Sequence, residues 1–445
     1  MTVRLALVSK FRDVDADVLS ALRSLDYDVF VVIVDSLHPI VVSEALKNVN
    51  YDYAVVPGTS PFDYSGLRRV VKGTTSLKLL PRLLKYVSVE SLSPSLSAER
   101  ALEESLVYKA LSETLNEIAG KTKWLKTGDV RLPIRPPPVV VFSDIYIAPP
   151  IDLERIAREV RYREWSGADA IVLSFDPLVE EEEILKVFKK ALEEVEVPVA
   201  VDTTRFETLI KAVDLGAPIV FSLTLDALSD VPSGLRDRAF YVVIPRSFRS
   251  WRSRAEELAR VCALAYELNV NVILDPLLHP FLHPGALEGL MTVKLVKEFE
   301  QCKDYPVLLG LNNAVELADV DTHASTATLL FLAAEAGASL VMVGEESYKA
   351  RASTLEAKLA SVLTSLALSL GSPPKDLPLN LLKLKGKSPR EDIKYLGSAV
   401  FSVFGEVVDC RSREDVELCR EWNLKRSQKE LLLKYSNLFK LRDRR

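Results

Sequence analysis

VPVAVDTTRFETLIKAVDLGAPIVFSLT (197–224) reads as strand, helix, strand. A β-branched run stops at Asp202 and Thr203, a segment of helical length follows, and a second apolar run ends at Ser222 to Thr224. The same unit recurs along residues 139–345. Its strands are VVVFSDI (139–145), ADAIVLSF (168–175), VPVAVDT (197–203), APIVFSLT (217–224), AFYVVIP (239–245), NVNVILDP (269–276), YPVLLGLN (305–312) and ASLVMVGE (338–345). Amphipathic segments such as EEEILKVFKKALEEV and RAEELARVCALAYELN lie between them. Apolar strands buried on both faces, each followed by a helix, predict an α/β protein with a (β/α)8 TIM barrel over residues 139–371.

The flanks read differently. Residues 1–120 alternate strands VRLALVS (3–9), DVFVVIVD (28–35) and YDYAVVP (51–57) with helical segments, and a helix runs from about Ala98. This predicts a small open α/β domain, flavodoxin-like or Rossmann-like, whose strand ends carry Ser9, Asp35 and Pro57 to Ser60. It has no GxGxxG and no GxxxxGK[ST]. In 121–138 the consecutive Pro136, Pro137 and Pro138 favour an extended linker. Residues 372–445 read as an appendage: a strand pair from KYLGSAVFSVF and GEVVDC, a charged helix over 412–441, and LFKLRDRR as a solvated tail.

Composition narrows the function classes. A formal charge of −5 makes no electrostatic case for nucleic acid as the main partner, and 48% hydrophobic residues describe a globular protein. The apolar part of MTVRLALVSK is too short for a signal peptide or a membrane span, so a cytoplasmic location is expected. Cys262, Cys302, Cys410 and Cys419 lack the paired spacing of zinc or redox sites and are expected as buried free thiols. Two glutamines, Gln301 and Gln428, beside 27% charged residues lean towards a thermophile.

Chemistry in such a barrel sits at the carboxyl ends of its strands. Those ends carry Ser143 and Asp144, Ser174 and Asp176, Asp202 and Thr203, Ser222 and Thr224, Arg246, Asp275, Asn312 and Asn313, and Glu345 and Glu346. His279 and His283 lie in HPFLHPG, where the prolines disfavour a helical ligand pair; a loop over the pocket is expected rather than a metal site, and no cofactor is required. Asp202, Asp275 and the two asparagines suit a small planar ligand. A pterin has a guanidine-like edge, and one carboxylate can accept both its N–H groups, each bond contributing roughly 1.5–3 kcal/mol. Asp275 is assigned that role, with Asp202 and Asn312 or Asn313 on the remaining ring atoms.

PVAVDTTRFETLIKAVDLGAPIVFSLT, ILDPLLHPFLHPG, LLGLNNAVELADVDTHAST and EESYKARASTLEAKLA together resemble the pterin-binding barrel of dihydropteroate synthases and of pterin-dependent methyltransferases. The whole chain is similar to archaeal dihydropteroate-synthase-like proteins, which carry an α/β domain ahead of the barrel. The resemblance implies pterin contacts from Asp202, Asp275, Asn312 and Asn313, and from Ser222, which stands where the family usually has Asn. It implies an anion site from Ser347, Lys349 and Arg351, assisted by Arg246, and catalytic roles for Lys349, Arg351 and Asn313. The implied reaction joins a dihydropterin methyl diphosphate to an arylamine in folate or tetrahydromethanopterin synthesis. The alternatives are methyl transfer from a methyl-pterin to a corrinoid protein partner, favoured by DPLLHP and Asn313, and a non-catalytic pterin-binding subunit. A homodimer is implied by resemblance alone.

Overall fold

The computed structural model describes residues 2–11, 14–246, 250–375, 377, 379 and 426–442. The chain divides into two compact units, residues 1–118 with 366–380 and 426–434, and the remainder.

The first unit holds a parallel sheet of β1 (Val3–Ser9), β2 (Tyr27–Ile33), β3 (Tyr53–Val56) and β4 (Val70–Lys72) in the order β2-β1-β3-β4. Three of these strands match the sequence expectation. The fourth is only VVK, too short and too close to charged neighbours to stand out by pattern. At its end the buried Lys72 Nζ donates to the Ser60 carbonyl at 2.8 Å, and Ser60 Oγ meets Tyr64 Oη at 2.6 Å.

The second unit contains the barrel: β7 (Val140–Ile147), β8 (Ala170–Phe175), β9 (Val199–Asp202), β10 (Ile219–Leu223), β11 (Phe240–Val243), β12 (Val272–Leu274), β13 (Leu308–Gly310) and β14 (Leu340–Gly344). All pairings are parallel, in the order β12-β11-β10-β9-β8-β7-β14-β13. A parallel bridge between Leu274 and Val307 joins the two ends and closes the ring. Alternation along each strand then sorts the side chains. Val140, Phe142, Ala170, Val172, Ala200, Phe240, Val242, Ile273, Leu308 and Leu340 fill the lumen, while Val141, Ile171, Leu173, Val199 and Val201 face the helices.

Three expectations are corrected, two of them for the flanks. The stretch read as an extended linker contains an antiparallel ribbon, β5 (Trp124–Thr127) and β6 (Val130–Pro133), because Gly128 at φ 57° supplies the tight turn between them. Val130 and Leu132 join the lumen cluster, and the ribbon is tied down by Asn271 Nδ2 donating to Thr127 Oγ1 at 2.6 Å. The described part of the basic tail, residues 438–442, is not solvated: Phe439 and Leu441 are buried, and Arg131 N donates to Leu441 O at 2.7 Å. Two hydrophobic residues spaced between the charges dominate its placement. Cys262 and Cys302 are not free thiols. They form a disulfide with Cα atoms 5.4 Å apart, because the helix Trp251–Leu268 packs against the short turn Glu300–Cys302. The expected strand pair, Cys410 and Cys419 lie outside the described residues; the helix Arg426–Leu438 falls within the charged helix expected there.

Below the ring a buried ion pair fixes the last barrel helix. Lys358, on Ser353–Leu370, donates to Asp169 Oδ1 at 2.7 Å, and Asp169 Oδ2 accepts from Val141 N at 2.8 Å. The Tyr435 ring covers the ammonium at 5.0 Å, and its hydroxyl donates to the Val139 carbonyl at 2.8 Å. Removing one member leaves an uncompensated buried charge. Asp169→Asn is expected to lower unfolding free energy by about 3–5 kcal/mol in a denaturant titration; a change below about 1 kcal/mol would refute this role. Peptide mapping of unreduced protein is expected to recover Cys262 and Cys302 cross-linked, and finding both alkylated would exclude the disulfide.

Candidate functional site

Four lumen columns end on a polar residue at the carboxyl mouth. In β7 the inward series Val140, Phe142 ends at Asp144; in β8 Ala170, Val172 ends at Ser174; in β9 Ala200 leads to Asp202; beyond β12, Ile273 leads to Asp275. Ser222 reaches the same layer by another route. The pairing of β10 with β11 shifts register between Val220 and Leu223, and Ser222 adopts φ 64°, a left-handed conformation that is costly for a residue with a Cβ.

These ends are linked by hydrogen bonds. Ser222 Oγ donates to Asp202 Oδ1 at 2.7 Å, and Ser174 Oγ lies 2.5 Å from Asp144 Oδ1 and 3.4 Å from Asp202 Oδ2. Asp275 Oδ1 accepts from Leu277 N at 2.9 Å. The apolar lumen beneath strips water from the carboxyls. Burial pushes Asp144 up to about 7, reinforced by the Asp202 and Glu346 charges and opposed by Ser174 and Arg163. Burial likewise pushes Asp275 up to about 7, reinforced by Asp202 and opposed by Leu277 N and Arg254. Asp202 is raised by burial and held back by its two serine partners.

Small residues shape the seventh and eighth positions. A Cβ on Gly310 would lie 3.2 Å from Asn312 Oδ1, and one on Gly344 would lie 3.4 Å from Asn312 Nδ2, so Asn312 occupies space that two side chains would otherwise fill. Its Oδ1 is buried without a hydrogen-bond partner, whereas Asn313 is exposed.

Two of the residues expected to form an anion site are engaged by framework groups. Lys349 Nζ donates to the carbonyls of Val315, at 2.8 Å, and Ala318, capping the short helix Asn312–Val315. Arg246 pairs with Asp226 at the exposed rim. Ser347 Oγ is buried without a partner, and Arg351 is half-buried. Glu345 faces the helices: it accepts from Ala352 N at 2.8 Å and Thr354 N at 3.0 Å and pairs with Arg163 at 3.3 Å. The start of Ser353–Leu370 thus already carries a carboxylate cap.

Arg254 escaped the sequence reading. It is buried on the helix Trp251–Leu268 and donates to the Pro276 and Leu277 carbonyls at 3.1 and 2.9 Å, fixing the loop behind Asp275. Its helix pattern, RAEELAR, carries no mark of that reach. On the same loop His279 is half-buried and His283 exposed, and among the described residues no group of His, Cys, Asp or Glu is disposed to hold a metal ion.

No family model matches the chain. It is 27% identical over 374 residues to an uncharacterized protein of Methanocaldococcus jannaschii, an alignment covering 79% of this chain and 69% of that one. It is similar in structure to dihydropteroate synthases from Thermus thermophilus (22% identity, 54% of this chain and 97% of that one, TM-score 0.43) and Vibrio fischeri (14%, 56% and 99%, 0.46). The synthase from Yersinia pestis is also similar, at 14% identity over 55% of this chain and 98% of that one, with a TM-score of 0.43.

The carboxyl at Asp275 has a pH signature. It is protonated in the fold up to about 7 but ionised in the unfolded chain above its ordinary value, so its contribution is fully favourable at low pH and is lost as pH rises through about 7. Wild-type stability is expected to fall from about pH 4 to about pH 7, and Asp275→Asn to flatten that fall by on the order of 1–4 kcal/mol. Equal slopes for the two proteins in denaturant melts would show that Asp275 stays ionised throughout.

Proposed function

We propose that the barrel mouth binds a pterin and that the protein is a pterin-dependent transferase. One observation carries this reading: Asp202 and Asp275, with Ser174 and Ser222, end inward-facing columns of one closed ring and are stripped of water together. A desolvated carboxylate pointing into a lumen favours a ligand edge that brings paired N–H donors, because two charge-assisted bonds then offset the burial cost. Asn312 Oδ1, buried and unpaired, offers a further acceptor on the same rim.

Two chemistries use such a pocket. Joining a dihydropterin methyl diphosphate to an arylamine, in folate or tetrahydromethanopterin synthesis, needs cations at the departing diphosphate. Methyl transfer from a methyl-pterin to a corrinoid protein does not. The engagement of Lys349 with two carbonyls and of Arg246 with Asp226 favours the second, in which the pocket orients the ring and shields the reacting nitrogen.

Titration with oxidised and reduced pterins is expected to show binding that strengthens as pH rises through about 7, where Asp275 ionises. Asp275→Asn is expected to weaken it by at least tenfold, equivalent to about 1.4 kcal/mol. Unchanged affinity in that variant would remove the pocket assignment. Incubation with methyl-pterin and free cobalamin, beside a parallel assay with pterin diphosphate and an arylamine, separates the two transfers by product.

A further inference from the structure

One hydroxyl stands between two carboxyls at this mouth. Ser174 Oγ is 2.5 Å from Asp144 Oδ1 and 3.4 Å from Asp202 Oδ2. A serine carries a single hydrogen and donates to one acceptor at a time. Were both carboxyls ionised, one of them would face only the serine lone pairs. Solvent gives little relief, since Asp144 is 8% exposed. The other Asp202 oxygen already accepts from Ser222 at 2.7 Å. The charged groups bearing on Asp144 are Asp202 of β9, Glu346 after β14, and Arg163 of the helix Leu153–Trp165, two negative and one positive. Arg163 is itself engaged by Glu345 at 3.3 Å and Glu159 at 3.0 Å.

The geometry is satisfied when one proton is held between the two carboxyls. It has two forms. In one, Asp202 carries the proton and donates to Ser174 Oγ, which donates to Asp144. In the other, Asp144 carries it and donates to Ser174 Oγ, which donates to Asp202. One proton hop along each of the two hydrogen bonds interconverts them, with no change in net charge and no heavy-atom bond made or broken.

We propose that Asp144 is the proton store of this mouth: when an N–H edge docks on Asp202, the proton held there passes through the Ser174 hydroxyl to Asp144. The store rests on the reading of Asp202 as a pterin contact. Asp202 becomes the acceptor that a pterin edge needs without releasing a proton to solvent, and the same proton is available to return when the ligand leaves. Asp144 is a positioning residue in this scheme, since it acts through Ser174 and sets the charge on Asp202. Its separation from the solvent-facing rim keeps the exchange internal, because the Ser174 hydroxyl bridges both carboxyls.

The test is calorimetric titration of the full chain with 6-hydroxymethylpterin at about pH 6, in two buffers of different ionisation enthalpy, which reads protons released per ligand bound. Asp144→Asn preserves the acceptor for Ser174 but cannot take the proton. It is expected to release about one proton more than wild type and to bind at least tenfold more weakly at this pH, with the deficit shrinking as pH rises. Ser174→Ala breaks the path but leaves Asp144 able to take up the same proton through solvent, so its equilibrium count is expected to match wild type, and the extra proton is expected of Asp144→Asn alone. A merely structural role would weaken binding at all pH values with an unchanged proton count, and that result overturns the store. Infrared spectra of ligand-free protein, recorded at the same pH, isolate the pair. A carboxylic-acid band lost in Asp144→Asn/Asp202→Asn supports the shared proton, and its absence from wild type refutes it. Wild type that shows this band yet binds no pterin defeats the pterin reading and leaves the shared proton standing.

Discussion

Closure of the eight-stranded ring, completed where Leu274 N donates to Pro306 O at 3.0 Å, is the constraint on which the site depends. An open sheet could relieve an inconvenient side chain by turning an edge to water. A closed ring cannot, and every second residue of each strand must share one narrow lumen. The lower layers solve this with Val, Phe, Ala, Ile and Leu. The top layer places Asp144, Asp202 and Asp275 over that apolar filling, so their unusual protonation follows from the architecture below them.

The barrel was legible because its strands are β-branched runs that alternate with helices of regular length, and even strands as short as Val272–Leu274 and Leu308–Gly310 stood out within longer apolar stretches. The inward direction of Asp202 and Asp275 followed from two-residue alternation. Ser222 obeys no such rule, since a backbone kink turns it inward. Long side chains were the least legible. Position in a helix or loop places the Cα of Lys349 or Arg254, but several rotatable bonds decide where the charge lands, and both land on carbonyls. The disulfide was hidden for a related reason: its cysteines are 40 residues apart and meet only through helix packing.

The two signs of charge are arranged unequally about the mouth. Carboxyls and hydroxyls face the lumen, while the described cations Lys349, Arg163 and Arg254 lie behind it, each holding a carbonyl or carboxylate of the framework. The pocket therefore presents hydrogen-bond acceptors in front and a cationic brace behind.

The floor of the barrel is made from distant parts of the sequence. The ribbon Trp124–Pro133 precedes the first strand of the ring, and Tyr435, Phe439 and Leu441, which lie under it, come long after the last. During synthesis the ring can therefore pair its strands before its underside is sealed. Residues 435–441 leave the ribosome after all eight strands of the ring, so Tyr435 can cover Lys358 and hydrogen-bond Val139 only once those strands have been made.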